Sequence, residues 1–328
     1  MITLGFLADT HLGFDYPRNP RIQRRRRGHD FQKNYLTALA ELEAAGVDAI
    51  IHGGDVFFRS RVSDEVQAMA YEPLLPLAEA GFPVLLVPGN HERSVLPPNP
   101  LFKHPNVFLF DRPRSVVLEL QGYEVAFGGF PFVRHQVGYS WNRWVAETEI
   151  LQTRADLKVL CVHHSFHGAR VGPVDFMFRK GADVVGLDQI PAEIPLVLSG
   201  HIHRRQILKG QNGSQVIYPG SIERTSFAEE RETKGYALVQ IDGLPDDVMI
   251  HTEFMNLPAR PMVRISLPEI LISNAEIAEY LKFELQALSA DSIVRVVVQN
   301  KDQLSLLSAN WLRDLVPESM NIELSVPR

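Results

Sequence analysis

Short apolar runs alternate with helical periods through the first two thirds of this chain, the pattern of an α/β fold. The runs at Ile2 to Leu7, Val47 to His52, Val84 to Val87, Val159 to Val162 and Leu196 to Leu198 have strand lengths. Between the first two, Phe31, Tyr35, Leu39 and Leu42 recur with helical spacing, and Gly46 is a natural stop. Ser63 to Ala80 reads as a second helix with Pro73 and Pro76 in its middle and Gly81 at its end. Beyond Leu118 the signals turn strand-rich, at Val116 to Leu120, Glu124 to Gly128, Val216 to Tyr218 and Tyr236 to Ile241. Leu257-Pro258-Ala259-Arg260-Pro261 marks a boundary, so the expected domains are 1–257 and 258–328. The second reads β-α-β-α-β: a helix opened by a Ser273/Glu276 capping box with Ile277, Tyr280, Leu281, Leu285 and Leu288 on one face, then a strand at Ile293 to Val298, a helix at Leu304 to Leu315 and a strand at Asn321 to Val326.

Each of the five runs in the first domain stops at a residue type that binds metal. Asp9 and His11 follow the first, Asp55 the second, Asn90 and His91 the third, His163 the fourth, His201 and His203 the fifth. Residues two apart in extended backbone point the same way, so Asp9 with His11, and His201 with His203, are expected to converge. Asp9, His11, Asp55, Asn90, His163, His201 and His203 together mix oxygen and nitrogen donors, too many for one first-row ion and suited to two that share a carboxylate. Adjacent strand residues face opposite ways, so His163 and His164 are alternatives. Glycines before Asp55, Asn90 and His201 let the chain approach the ions closely.

Composition narrows the class. The chain has 328 residues, 45% hydrophobic and 22% charged, ordinary for a globular protein of about two domains. Cys161 is its single cysteine, so no intrachain disulfide forms, and it reads as a buried apolar filler. Met1 leads directly into the first strand with no room for a leader, and no run nears the ~20 residues of a membrane span. A cytoplasmic protein without membrane contact is expected. The formal net charge of −6 argues against nucleic-acid attraction over the whole surface while leaving room for a local basic groove. Arg18 to Arg27 concentrates positive charge after the first ligand pair. Arg24, Arg25 and Arg204 are the candidate phosphate contacts, the alternative being solvated arginines paired with surface carboxylates.

Asp9-x-His11, Gly53-Gly54-Asp55, Gly89-Asn90-His91-Glu92, His163 and Gly200-His201-x-His203, in that order, resemble the calcineurin-like metallophosphoesterases. The Asp9-Thr-His11-Leu12-Gly13 opening, the arginine-rich helix start and the appendage look most like the Mre11/SbcD DNA-repair nucleases. This resemblance implies a two-sheet sandwich flanked by helices, with a small C-terminal α+β capping domain. It puts Asp9, His11 and His203 on one divalent ion and Asn90, His163 and His201 on the other, with Asp55 bridging. Manganese is the implied metal, though zinc or iron(II) suits the same ligands. Two such ions, about 3.5–4 Å apart, can hold a bridging hydroxide and polarise a phosphodiester. His91 is the expected proton donor to the departing 3′ oxygen, with Glu92 either orienting it or sitting at a helix N-terminus. The resemblance further implies DNA as partner and substrate, exonuclease and single-strand endonuclease activity, a homodimer through first-domain helices, and an SMC-like ATPase partner.

Two departures temper these expectations. Phe58 stands where such nucleases commonly carry a histidine, three residues after the bridging aspartate, and the chain ends at Arg328 without the tail that binds the ATPase. A phosphatase or small-molecule phosphodiesterase is therefore the enzymatic rival, and a DNA-binding scaffold with a weakly active metal centre the non-enzymatic one. Tyr139, Trp141 and Trp144 are read as core packing, with base stacking the alternative. His52 reads as a core histidine, the alternative being a support to the ligands.

Overall fold

In the computed structural model, residues 1–15, 27–245 and 247–325 are described. Alternation along each strand builds the first domain. Ile2, Leu4 and Phe6 of the Ile2–Leu7 strand face one core while Leu7 faces another, and Ile51 and Ile50 divide in the same way. On a second sheet Leu157, Val159 and Cys161 join the first of these cores, whereas Leu160 and Val162 turn to a third. Two six-stranded sheets therefore pack face to face, each with a helical layer outside.

In the first sheet Ile2–Leu7, Ala49–His52, Val84–Leu86 and Val107–Leu109 run parallel, with Lys234–Asp242 and Met249–Leu257 added antiparallel on the other side. In the second, Tyr123–Gly129, Leu157–Val162, Leu196–Ser199 and Gln215–Tyr218 run parallel between antiparallel edges, Arg114–Leu120 and Gln206–Lys209. Parallel strands deliver their C-terminal ends to one edge of the sandwich, where loops from both sheets meet.

The expected first helix forms at Gly28–Ala44, burying Phe31, Tyr35, Leu39 and Leu42. The single helix expected from Ser63 to Ala80 is instead two, Asp64–Tyr71 capped by Ser63, and Leu74–Glu79 entered through Pro73, because proline cannot donate to the preceding turn. Trp141 is buried in the Val137–Glu147 helix and Trp144 stacks 5.8 Å from Phe130, so both belong to the outer core, while Tyr139 is exposed.

The C-terminal unit has its own core, centred on Ile265, Ile277, Leu281, Val294, Val296 and Leu312. Its three parallel strands are Met262–Ser266, Ile293–Val297 and Asn321–Ser325; Val326 lies outside the described residues. Ser273 and Glu276 form the reciprocal cap of the Asn274–Gln286 helix. The helix expected at Leu304 to Leu315 divides into Lys301–Leu306 and Ala309–Asp314, because Ser308 leaves the helix and caps the second piece through Trp311 N. Arg260 ties the unit to the sandwich: its guanidinium meets Asp30 at 3.1 Å and donates to Asn321 Oδ1, Ser319 O and Asp291 O.

Candidate metal centre

Asp9, His11, Asp55, Asn90, His163, His201 and His203 all lie just past C-terminal strand ends, at the edge where the two sheets meet. The structure corrects the expected cause of their convergence. Asp9 (φ 53°), His11 (φ 43°), Asp55 (φ 52°) and His201 (φ 84°) are left-handed rather than extended. Such residues cost about 1–3 kcal/mol each and persist only where their surroundings fix them. Here the loops hold each other: Asp9 N donates to Gly54 O (2.9 Å), His11 N to Asp55 O (3.0 Å), and His201 N to the Asp9 carboxylate (3.1 Å).

Two groups of donors result. In one, His203 Nε2 lies 3.0 Å from His11 Nε2 and 3.8 Å from Asp9 Oδ1. In the other, Asn90 Oδ1 lies 2.7 Å from His201 Nδ1 and 3.0 Å from His163 Nε2. Asp55 Oδ2 stands between them, 3.4 Å from His163 Nε2 and 4.0 Å from His11 Nε2. His163 Nδ1 donates to Gly53 O at 2.7 Å, leaving Nε2 toward the centre. His164 points away, accepting from Val133 N at 3.3 Å and stacking 5.2 Å from Phe132.

Two carboxylates, an amide oxygen and four imidazoles meet in a cluster buried on one side and open on the other, a donor set that fits divalent cations. Burial raises the Asp9 carboxyl to about 6, the behaviour of an anion short of positive charge. Burial and the neighbouring His163 lower His201 to about 3, so its imidazole is neutral. Burial would raise Asp55 too, but His163 and His11 hold it well below the usual carboxylate range.

The calcineurin-like phosphoesterase pattern matches residues 2–205, the span that carries every one of these donors. The chain belongs to that family. Among curated proteins it is similar to the DNA double-strand break repair protein Mre11 of Methanopyrus kandleri, 24% identical over 276 residues, covering 76% of this chain and 57% of that one. The Mre11 of Halobacterium salinarum is 30% identical over 255 residues, covering 76% and 59%. The chain thus spans about six tenths of the length of these relatives. A solved structure of a dimetal phosphatase from Danio rerio is 13% identical and covers 76% of this chain and 98% of that one, at a TM-score of 0.47.

Around the donors this family member carries supports of three kinds. His52 Nδ1 accepts from Gly54 N (3.2 Å), so its Nε2 donates to Thr10 Oγ1 (2.9 Å), which donates to Val56 O; the ring braces both aspartate loops. Glu92 neither orients His91 nor sits at a helix start. Buried, it accepts from Phe57 N (2.6 Å) and Gly89 N (2.9 Å), joining the Asp55 and Asn90 loops, and burial raises its carboxyl to about 8. His203 Nδ1 donates to Glu229 Oε1 at 3.0 Å, which leaves its Nε2 lone pair for the centre. Buried Lys234 holds Glu229 at 2.6 Å and donates to His203 O at 3.0 Å. Glu229 and Lys234 are not predicted from the sequence because they belong to no local pattern; the one available signal was a lysine two residues ahead of the Tyr236 to Val239 apolar run.

His91 Nδ1 donates to Phe58 O at 2.7 Å, so its Nε2 faces Asp55 Oδ2 at 3.9 Å from the open side of the centre. Phe58 is more than packing, since its carbonyl orients His91 and its ring lies 5.9 Å from His11. Arg24 and Arg25 lie outside the described residues. Arg27, the last of that arginine run, stacks 4.8 Å over Phe14 and donates to Arg224 O. Arg204 is engaged by Glu232 (3.1 Å), Asp175 and Gly172 O (2.6 Å), and Arg205 donates to Asn256, so both arginines anchor loops. His167 is exposed and Cys161 is buried in the inter-sheet core. Among the described residues no helix is long and apolar enough to cross a membrane.

Proposed function

We propose that this chain is a two-metal phosphodiesterase acting on DNA, with exonuclease activity and a role in DNA repair, and that residues 1–257 form its nuclease domain and 258–328 a capping domain. The observation that carries the reading is the convergence of two donor groups across Asp55, with His91 Nε2 3.9 Å from its carboxylate on the exposed side. Asp9, His11 and His203 would hold one ion, Asn90, His163 and His201 the other, and Asp55 both. When bound, two divalent cations, manganese in this reading, would polarise the phosphoryl oxygens and supply an activated water.

The chain's own residues do the rest. Phe58 O holds the Nδ1–H of His91, so Nε2 is the ring atom aimed at the leaving oxygen, and from the imidazolium form it would donate its proton as the P–O bond breaks. Gly54 O and Asp55 O fix the backbone of Asp9 and His11, and Glu92 fixes the separation of the Asp55 and Asn90 loops, so the donors need not reorganise during the reaction. Arg24, Arg25 and Arg204 are proposed to contact the substrate backbone, Arg204 through an exchange of its carboxylate partners for phosphate. The polymer reading rests on the similarity to proteins named for DNA break repair, and the apolar Phe58 ring beside His11 favours a small diester as the second reading.

The test supplies metal-stripped protein with manganese and compares end-labelled linear DNA with a chromogenic bis-aryl phosphodiester. DNA degradation abolished by His91→Ala is the expected result. Turnover of the small diester alone would replace the nuclease reading by a small-molecule phosphodiesterase.

A further inference from the structure

We propose that the Phe227–Glu229 turn couples the seating of the C-terminal unit to the ion position at Asp9, His11 and His203; the inference rests on the two-metal reading. Two features that the sequence separates meet in these three residues. At one end Glu229 takes the Nδ1 proton of His203 at 3.0 Å and is itself held by Thr225 and by buried Lys234 at 2.6 Å. At the other end Phe227 is buried with Met262 and Ile293, the first residues of two strands of the C-terminal sheet. Arg295 lies 4.0 Å over the Phe227 ring, and Arg264 both covers the ring at 5.5 Å and donates to Phe227 O at 2.9 Å. Arg264 also pairs with Glu230 at 2.6 Å, the residue after Glu229.

The turn is a short 3-10 segment entered through a Ser226 cap, so its ends cannot move independently. If the C-terminal unit shifts on the sandwich, Phe227 follows its socket and the Glu229 carboxylate leaves His203 Nδ1. The imidazole then loses the partner that sets its tautomer and ring plane. Outer partners of ligating histidines typically change metal affinity about 10- to 100-fold when removed, and a residue that positions such a partner transmits part of that. The second donor group, at Asn90, His163 and His201, has no contact with the turn among the described hydrogen bonds, so the effect falls on one ion of the two. Coupling of this kind is reciprocal: an ion that prefers the seated arrangement stabilises it by the same factor.

The experiment titrates Mn2+ calorimetrically into the metal-stripped full chain. Wild-type protein should show two ions. Arg295→Ala, altered only in the C-terminal unit, and Phe227→Ala should each weaken one of them by about fivefold or more, the lower end of coupling between linked sites, and leave the other unchanged. Mn2+ should in turn slow amide exchange in Met262–Ser266 of the wild type and less so in the variants. Unchanged affinities for both ions in two variants whose far-ultraviolet circular dichroism is native would overturn the coupling. A wild type that takes up one ion or none would overturn the two-metal reading itself.

Discussion

A metal centre of this geometry leaves little freedom to individual residues. A β-carbon on Gly89 would fall 2.2 Å from Asp55 Oδ1 and 2.3 Å from Asp55 N, and a backbone atom cannot yield as a side-chain tip can. Gly89→Ala should therefore displace Asp55 and lower phosphodiester cleavage by about 10²-fold, the cost of a roughly 1 Å misplacement, with reduced manganese uptake as the accompanying measurement. His91→Ala should lower cleavage by about 10²- to 10⁴-fold while manganese content stays the same, because the ring sits beside the donors. Glu229 gives a pH prediction of definite sign. Burial would raise its carboxyl, but the His203 hydrogen bond and Lys234 hold it well below the ordinary glutamate value of about 4.5. The folded state thus favours the ionised form, so its contribution to stability is full above about 4.5 and is lost as pH falls toward the depressed folded value. Urea unfolding of wild type and Glu229→Gln between pH 6 and pH 3 should converge on the acid side. The candidate donors were legible at this scale because each follows an apolar run; Glu229 and Lys234 were not, since their contacts with His203 join residues 26 and 31 positions away.

At the scale of elements, local signals worked where one cause dominated. Phe31, Tyr35, Leu39 and Leu42 gave the first helix because only one face of it meets the sheet. Ser273 with Glu276 gave a helix start because both hydrogen bonds of the box close on themselves. Ser273→Ala should cost about 1 kcal/mol, read as faster exchange of the 274–286 amides with cleavage unaffected. The Val137–Glu147 helix is not among the expected elements, although Val137, Trp141 and Val145 repeat at helical spacing, because packing was assigned to its aromatic residues singly rather than as a period. Ser308 interrupts another helix for a reason only its cap reveals: its hydroxyl accepts from Trp311 N, and a serine at that place is as compatible with continuation as with a stop.

For the whole molecule, the pairing of two sheets was beyond the reach of any single strand's pattern. Alternation told which residues were buried, but strands buried on both faces, such as Leu157–Val162, carry no mark of which layer each face meets. That arrangement makes the centre a clasp between sheets, with Asp9, His11, Asp55 and Asn90 from one and His163, His201 and His203 from the other. Manganese at a hundred times its dissociation constant should accordingly add about 2.7 kcal/mol to global stability for each ion bound, seen as a higher denaturation midpoint than in chelator. Arg260 works at the same scale. Arg260→Ala removes one partner of a buried ion pair with Asp30, a loss worth about 3–5 kcal/mol, and should loosen the C-terminal unit without altering the secondary structure of the sandwich.

The inter-sheet core also contains a chemical clock. Cys161, the only thiol in the chain, faces that core, and burial pushes its pKa far above the range in which a thiolate forms. A disulfide-exchange reagent can reach it only when the two sheets part. With reagent concentrated enough that labelling outpaces reclosing, the rate counts openings of the sandwich one event at a time, and slower labelling in manganese than in chelator would put a frequency on how often the clasp lets go.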